Sequence, residues 1–380
     1  MKKVVLYIHM MCAALLLALS GCDVHEFPVE RNERVPYLLH LNFDTEMYFN
    51  TEVPYTRNGD GDTQTKAPFE KHDVRYVINA YRTDNVIGVN HFADTTFVFT
   101  KSDIANLNYT APLELKEGSY RFAVWCDYVD AGSTADKYYD TSDFLEVILK
   151  DPENYQGNND FRDVFRGYAT GTVINPKYYK GAAASAIDNQ ATAQMTRPVG
   201  KVQFISTDVE EFLTRIASIL QKQGLLSIDT SNSNLSPFEQ LLQSIDLGQF
   251  KVVIHYNINM PCSYDMVYDK VSNSWKGMSF SSSMERISDT EMSLGFDYVF
   301  VGNLGTTLDM SVEVYNVRDG KEELMSRSRP VPVPFYPSKL TVVRGEFLTS
   351  IATGGVSINP GYDKDENGDD YNWDITDVIH

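Results

Sequence analysis

The sequence predicts a mainly β fold, and three observations carry the expectation. Apolar residues alternate at period two in many short runs, Gly, Asn, Asp and Pro clusters punctuate those runs, and 23 Tyr and 20 Phe outnumber 3 Trp. With 380 residues the chain exceeds one modest core, so two β-sandwich domains in tandem are expected. One or two short helices fall in the second.

The first element is not part of that fold. Lys2 and Lys3 form a basic start, and residues 4–19 are almost wholly apolar, broken only by His9. This pattern identifies residues 1–21 as a signal peptide. The apolar run is shorter than the roughly 20 residues that cross a bilayer. It ends in the lipobox Leu19, Ser20, Gly21 and Cys22. Small residues let a peptidase reach the backbone, and the Cys22 thiolate is the nucleophile that takes a diacylglycerol group, with palmitate-type acyl chains. Two or three such chains anchor stably, whereas one binds reversibly. The expectation is an outer-membrane lipoprotein at the cell surface, touching the membrane through its lipid.

Residues 22–34 are polar and contain proline, as a tether does. The first domain is expected over 35–179. Tyr37, Leu39, Leu41 and Phe43 alternate with polar or outward residues, which places His40 on the exposed face. Residues 52–68 hold Asn58-Gly59-Asp60-Gly61-Asp62, a loop signal with Arg57 beside it. Further alternation follows at Val74, Tyr76, Ile78 and Ala80, at Phe97 and Phe99, and at Leu113 and Leu115; residues 120–125 read as another strand, and after a segment 127–143 rich in Tyr, Asp and Gly the alternation resumes over 145–149. The small, polar run 180–196 reads as a linker.

The second domain is expected over 197–360. A strand at 200–205 precedes a helix over 208–223, where Thr207 and Glu210 match a capping box. Val209, Phe212, Leu213, Ile216, Ile219 and Leu220 make its apolar stripe. Ser236-Pro237-Phe238-Glu239 starts a shorter helix ending at Gly248. Strands at Phe250–Tyr256, 296–301, 306–317, 322–328 and 339–344 complete the domain, and 361–380 is an acidic tail.

The net charge of −19 becomes more negative without Lys2 and Lys3, and such a surface repels nucleic acid. Once Cys12 leaves with the signal and Cys22 is lipidated, Cys126 and Cys262 remain, paired or free. No nucleophile elbow, zinc-protease helix, phosphate loop or dinucleotide glycine pattern occurs. The six histidines outside the signal, at 25, 40, 72, 91, 255 and 380, have no metal-ligand spacing. The chain therefore reads as a non-enzyme without a cofactor beyond its lipid. One ligand-like spacing remains in the tail. Asp363, Asp365, Asn367, Asp369 and Asp374, with Gly368 at the sharp turn, follow the oxygen rhythm of a calcium loop, and a solvated acidic tail explains the same residues.

Several strings together resemble fimbrillin-like lipoproteins of the Bacteroidota, including fimbrial anchor and accessory subunits. They are Trp125-Cys126-Asp127-Tyr128-Val129-Asp130 with Lys137-Tyr138-Tyr139, then His72-Asp73-Val74-Arg75-Tyr76-Val77 and Arg197-Pro198-Val199-Gly200-Lys201-Val202. Phe296-Asp297-Tyr298-Val299-Phe300-Val301, Gly345-Glu346-Phe347-Leu348-Thr349 and Ile358-Asn359-Pro360-Gly361-Tyr362 complete the set. Val331-Pro332-Val333-Pro334-Phe335-Tyr336-Pro337 departs from the pattern, lacking an Arg-Asn-rich run. The resemblance implies two transthyretin-like sandwiches and a role in a fimbrium whose subunits join by β-strand addition. In polymerising members a protease cuts after an early-loop arginine and releases the first strand, a role that Arg57 would fill. An anchor must keep that strand and its lipid, so the two fates exclude each other in one molecule. The alternative is a surface lipoprotein binding glycan or host protein through Tyr138, Tyr139 and Trp275.

Overall fold

The computed structural model describes residues 32–44, 72–83, 93–224 and 236–350, with the backbone of Val356–Asn359 and Trp373–Asp374. The fold is mainly β. In chain order the first half supplies β1 (Arg34–Phe43), β2 (His72–Arg82), β3 (Thr95–Lys101), β4 (Tyr109–Lys116), β5 (Gly118–Asp130), β6 (Tyr139–Asp140), β7 (Val147–Leu149), β8 (Phe165–Val173) and β9 (Gln190–Thr196). The second half begins with β10 (Val199–Ser206), α1 (Val209–Lys222) and α2 (Pro237–Ser244). It continues through β11 (Phe250–Tyr256), β12 (Asn259–Asp265), β13 (Lys270–Lys276), β14 (Ser279–Ser283), β15 (Glu285–Arg286) and β16 (Met292–Phe300). Last come β17 (Thr306–Arg318), β18 (Lys321–Arg327), β19 (Val331–Phe335), β20 (Leu340–Gly345), β21 (Val356–Asn359) and β22 (Trp373–Asp374).

One seven-stranded sheet, ordered β3-β2-β5-β8-β9-β1-β4, curls over itself in the first half. Its two ends meet through ring contacts, Tyr37 on Phe122 at 5.5 Å and Tyr76 on Tyr109 at 4.7 Å between centroids. Alternation explains the interior. Tyr37, Leu39 and Leu41 of β1 point into a core shared with Val74, Tyr76 and Ile78 of β2 and with Phe122 and Val124 of β5. Strands β2 and β5 are covered on both faces, because Val77, Ala123 and Trp125 turn the other way into a second core.

The second core lies between a six-stranded sheet, β15-β16-β10-β20-β21-β22, and a five-stranded one built on β14-β11-β17-β18 with β19 against β17. Helix α1 lays Val209, Phe212, Leu213 and Ile216 on it, and Phe212 meets Phe250 edge-on at 5.1 Å. First-half residues enter this core too: Tyr139, Phe144, Val147, Leu149 and Val164. A four-stranded sheet, β13-β12-β7-β6, joins the halves through Ser263↔Ile148 and Tyr264↔Val147.

Each half opens on a strand held in the same way. β1 pairs antiparallel with β4 and parallel with β9; β10 pairs antiparallel with β16 and parallel with β20.

Three local expectations are corrected. Gln190–Thr196, within the run read as a linker, is β9, because Ala193 and Met195 face the first core while Gln190, Thr192 and Gln194 alternate outward. Thr207 and Glu210 form no capping box; Asp208 is the N-cap, and its carboxylate is taken by the backbone N–H groups of Leu348 and Thr349 instead. Helix α2 stops at Ser244, four residues before Gly248, and Leu247–Gln249 forms a separate 3-10 turn. Its start holds: Ser236 and Glu239 make both bonds of a capping box.

Candidate functional site

Strand β1 is the first described strand, and neighbours hold it on both edges. Eight of its residues register with β4, from Arg34↔Lys116 to Leu41↔Tyr109. Six register with β9, from Leu38↔Gln190 to Phe43↔Met195. Hydrogen bonds therefore hold it on both sides. Leu39 and Leu41 are wholly buried, and Phe43 meets Phe165 edge-on at 5.0 Å. The Tyr37 side chain runs across β8, where Gly171 leaves room; a Cβ at 171 would fall inside the Tyr37 hydroxyl. That hydroxyl is buried without a hydrogen-bond partner among the described residues, and burial pushes its pKa up to about 12. On the outer face, His40 joins its two neighbours, with Thr110 of β4 and Gln190 of β9 each 3.0 Å from a ring nitrogen.

The second feature is a set of arginine–aspartate forks in and between the halves. Arg75 on β2 grips Asp127 on β5 with Nε and Nη2 at 2.9 and 2.6 Å, and its Nη1 donates to Asp136 at 2.7 Å. Trp125 Nε1 donates to the same Asp127 at 3.2 Å. Arg197, just before β10, forks Asp163 at 2.8 and 2.9 Å and lies 4.1 Å over the Phe165 ring. Burial pushes the Asp127 and Asp163 carboxyls up, against the pull of their arginines.

Arg162 carries a second, fully buried link between halves. Its Nη1 reaches Asp297 Oδ1 on β16 at 2.7 Å, while Tyr155 and Tyr256 donate to Asp297 Oδ2 at 2.6 and 2.7 Å. The Tyr155 ring covers the guanidinium at 4.4 Å, and Tyr139 donates to the Arg162 carbonyl at 2.7 Å. Burial works against charge on Arg162, but Asp297 together with Tyr155, Tyr139 and Tyr256 outweighs it and holds the guanidinium above the ordinary arginine value. Arg166 on β8 makes a parallel link to Asp269 at 2.6 and 2.8 Å, beside the Tyr264 hydroxyl.

These forks explain several of the strings noted in the sequence. Arg75, Asp127, Arg197 and Asp297 all lie within them, and Leu348 and Thr349 close the Asp208 knot. Arg75 was visible as a charge between Val74 and Tyr76 in an apolar run. Arg162 and Arg166 were missed, since nothing in Phe161-Arg162-Asp163 or Phe165-Arg166-Gly167 separates a buried arginine from a surface one.

The other expected residues fall as follows. Leu19, Ser20, Gly21, Cys22, Arg57, Asp363, Asp365, Asn367 and Asp369 lie outside the described residues, and of Asp374 only the backbone is described, in β22. Cys126 and Cys262 are both free and buried, and burial pushes their thiols up, Cys262 to about 11. The proposed stacking platform is corrected: Tyr139 is 1% exposed in the core, and Tyr138 and Trp275 are half-buried against it. Each ring finds apolar neighbours on a strand or strand end, which is the usual fate of strand aromatics. The exposed tyrosines are others, among them Tyr168, Tyr268 and Tyr336.

Residues 28–377 match the family described as "Family of unknown function (DUF6562)". The chain belongs to this family. No curated protein matches it. Among solved structures it is similar to the fimbrial anchor protein Mfa2 from Porphyromonas gingivalis, at 12% identity and TM-score 0.37, covering 86% of this chain and 98% of that one. It is also similar to a fimbrial assembly protein from Parabacteroides distasonis, at 12% identity and TM-score 0.36, covering 90% of this chain and 99% of that one.

Proposed function

We propose that this chain is a non-enzymatic structural subunit of a surface fimbria, held in the outer membrane by lipid on Cys22 and acting as its anchor or an accessory subunit. The observation that supports this reading is the seat of β1. The chain leaves the tether and enters a strand bonded on both edges, with Tyr37, Leu39 and Leu41 in the core. A load arriving from the membrane then falls on two ladders together with an apolar interior. Burying each leucine contributes about 2 kcal/mol against withdrawal.

The same seat supplies a route for joining other subunits. If cleavage at Arg57 released β1, the edges of β4 and β9 and the apolar row Ala111, Leu113, Ala193 and Met195 would be left for a strand of another subunit. An anchor keeps the seat filled; a polymerising subunit vacates it.

Growth of the native host with a clickable palmitate analogue, followed by purification from the outer membrane, tests the reading. An anchor retains the label, loses it on Cys22→Ser, and co-purifies with fimbrial subunits. An unlabelled protein beginning at Asn58 identifies a polymerising subunit instead. Labelled protein free of any fimbrial partner sinks the fimbrial reading.

A further inference from the structure

Strand β3 closes one edge of the seven-stranded sheet and differs from the other edges. It pairs with β2 from Val74↔Lys101 to Ala80↔Thr95, and among the described residues no strand pairs with its outer side. An open edge is a template for another strand, and proteins blunt such edges with charge, proline or shortness. The other edges carry those guards. β4 has Pro112, Glu114 and Lys116; β18 has Lys321, Glu322, Glu323 and Arg327; β13 has a lysine at each end. β14 is five residues long, four of them serine. In β3, Thr95 through Thr100 contains no charge and no proline.

The unguarded stretch is also symmetric. Thr96-Phe97-Val98-Phe99-Thr100 reads the same in both directions about Val98. On the core side Phe97 and Phe99 stack at 6.4 Å yet stay half-exposed, because the sheet ends beside them. On the outer side Val98 is 42% exposed.

We infer that β3 is a homodimerisation edge, at which a second copy of this chain adds its own β3 antiparallel across a two-fold axis at Val98. Val98 then faces Val98 of the partner, Phe97 faces Phe99, and Thr96 faces Thr100. Directly opposed residues share a sheet face, so this register keeps both phenylalanine pairs on the core side; a one-residue slip would put them against outward residues. Val–Val, Thr–Thr and Phe–Phe are favourable cross-strand pairs, and no like charges oppose each other. The contact is isologous, so it closes at two copies and uses up both β3 edges, leaving only the guarded β4 edges at the ends of the joined sheet. It involves neither β1 nor the lipid and stands apart from the fimbrial reading.

The test is sedimentation velocity and thiol cross-linking on the purified full chain in detergent. Wild type is expected to sediment as a dimer, and Val98→Lys as a monomer whose far-UV circular dichroism matches wild type, since the side chain already meets solvent. Val98→Cys is expected to cross-link to itself on oxidation. Thr96→Cys should cross-link when mixed with Thr100→Cys, and not alone. A monomeric wild type, a Val98→Lys dimer as tight as wild type, or self-cross-linking of Thr96→Cys would each overturn the inference. An extended peptide of another protein occupying this edge would appear as the first of these.

Discussion

At the scale of single residues, the most informative position is Gly171, which has no side chain because Tyr37 occupies the space. Gly171→Ala is expected to cost about 1–3 kcal/mol, the usual range for overpacking, measured by urea unfolding. Tyr37→Phe removes the nearest obstructing atom, a buried hydroxyl without a described partner, and leaves the ring Cζ 2.9 Å from a Cβ at 171, so on its own it should be near neutral or stabilising. Combined with Gly171→Ala it should recover part of the loss, a coupling that a double-mutant cycle reads directly. Asp269 makes a second residue-scale prediction. Burial raises its carboxyl, but the Tyr264 hydroxyl and the Arg166 fork outweigh that and hold the pKa below the ordinary range. Its folded pKa lies below its unfolded value of about 3.9, so its contribution is present above that pH and disappears as pH falls through the folded value. Melting curves of wild type and Asp269→Asn should therefore be well separated at neutral pH and converge in acid.

At the scale of elements, two helix starts separate what local sequence decides from what packing decides. The Ser236–Glu239 box is a local arrangement, and it forms as the sequence reads. The Thr207–Glu210 pattern looks equally good, but Asp208 is drawn into contact with Leu348 and Thr349 from the far end of the chain. Ser236→Ala should destabilise by about 1 kcal/mol, whereas Thr207→Ala should leave thermal stability unchanged, since Thr207 makes no cap. Strands follow the same division. β1 and β11 alternate clearly, since one face meets a core and the other meets water or its margin, and both were legible. β12 was missed because its residues are buried on both faces from Met260 to Asp265, which erases the alternation. β9 was hidden by its small residues, whose partners come from strands far away in sequence. The candidate site was legible to the same degree: the outline of β1 could be read, while the partner of Arg162 could not, because Asp297 meets it only through the tertiary fold.

For the whole molecule, the question is how the halves hold together. The second core draws side chains from both, β12 pairs with β7, and the Arg162–Asp297 ion pair and the Arg166–Asp269 fork bridge them. A buried pair adds little relative to an apolar replacement, yet breaking it from one side is costly, because the remaining charge stays buried. Asp297→Asn should therefore lower stability by about 3–5 kcal/mol in chemical denaturation. Because both halves share the second core, the loss should appear in one cooperative transition reported equally by probes in either half. Two separate transitions would show that the halves unfold independently.

The parallel pairing of β1 with β9 has a consequence for how the chain is made. His40 and Gln190 touch across a separation of 150 residues. The chain is synthesised from its N-terminus, so β1 emerges before β9 and must wait for it before its second ladder can close. Such long-range closure is slow, and an unpaired apolar strand is exposed to wrong partners meanwhile. The first strand out is thus among the last to be locked. Throughout that interval β1 is also the part of the first half least protected from aggregation.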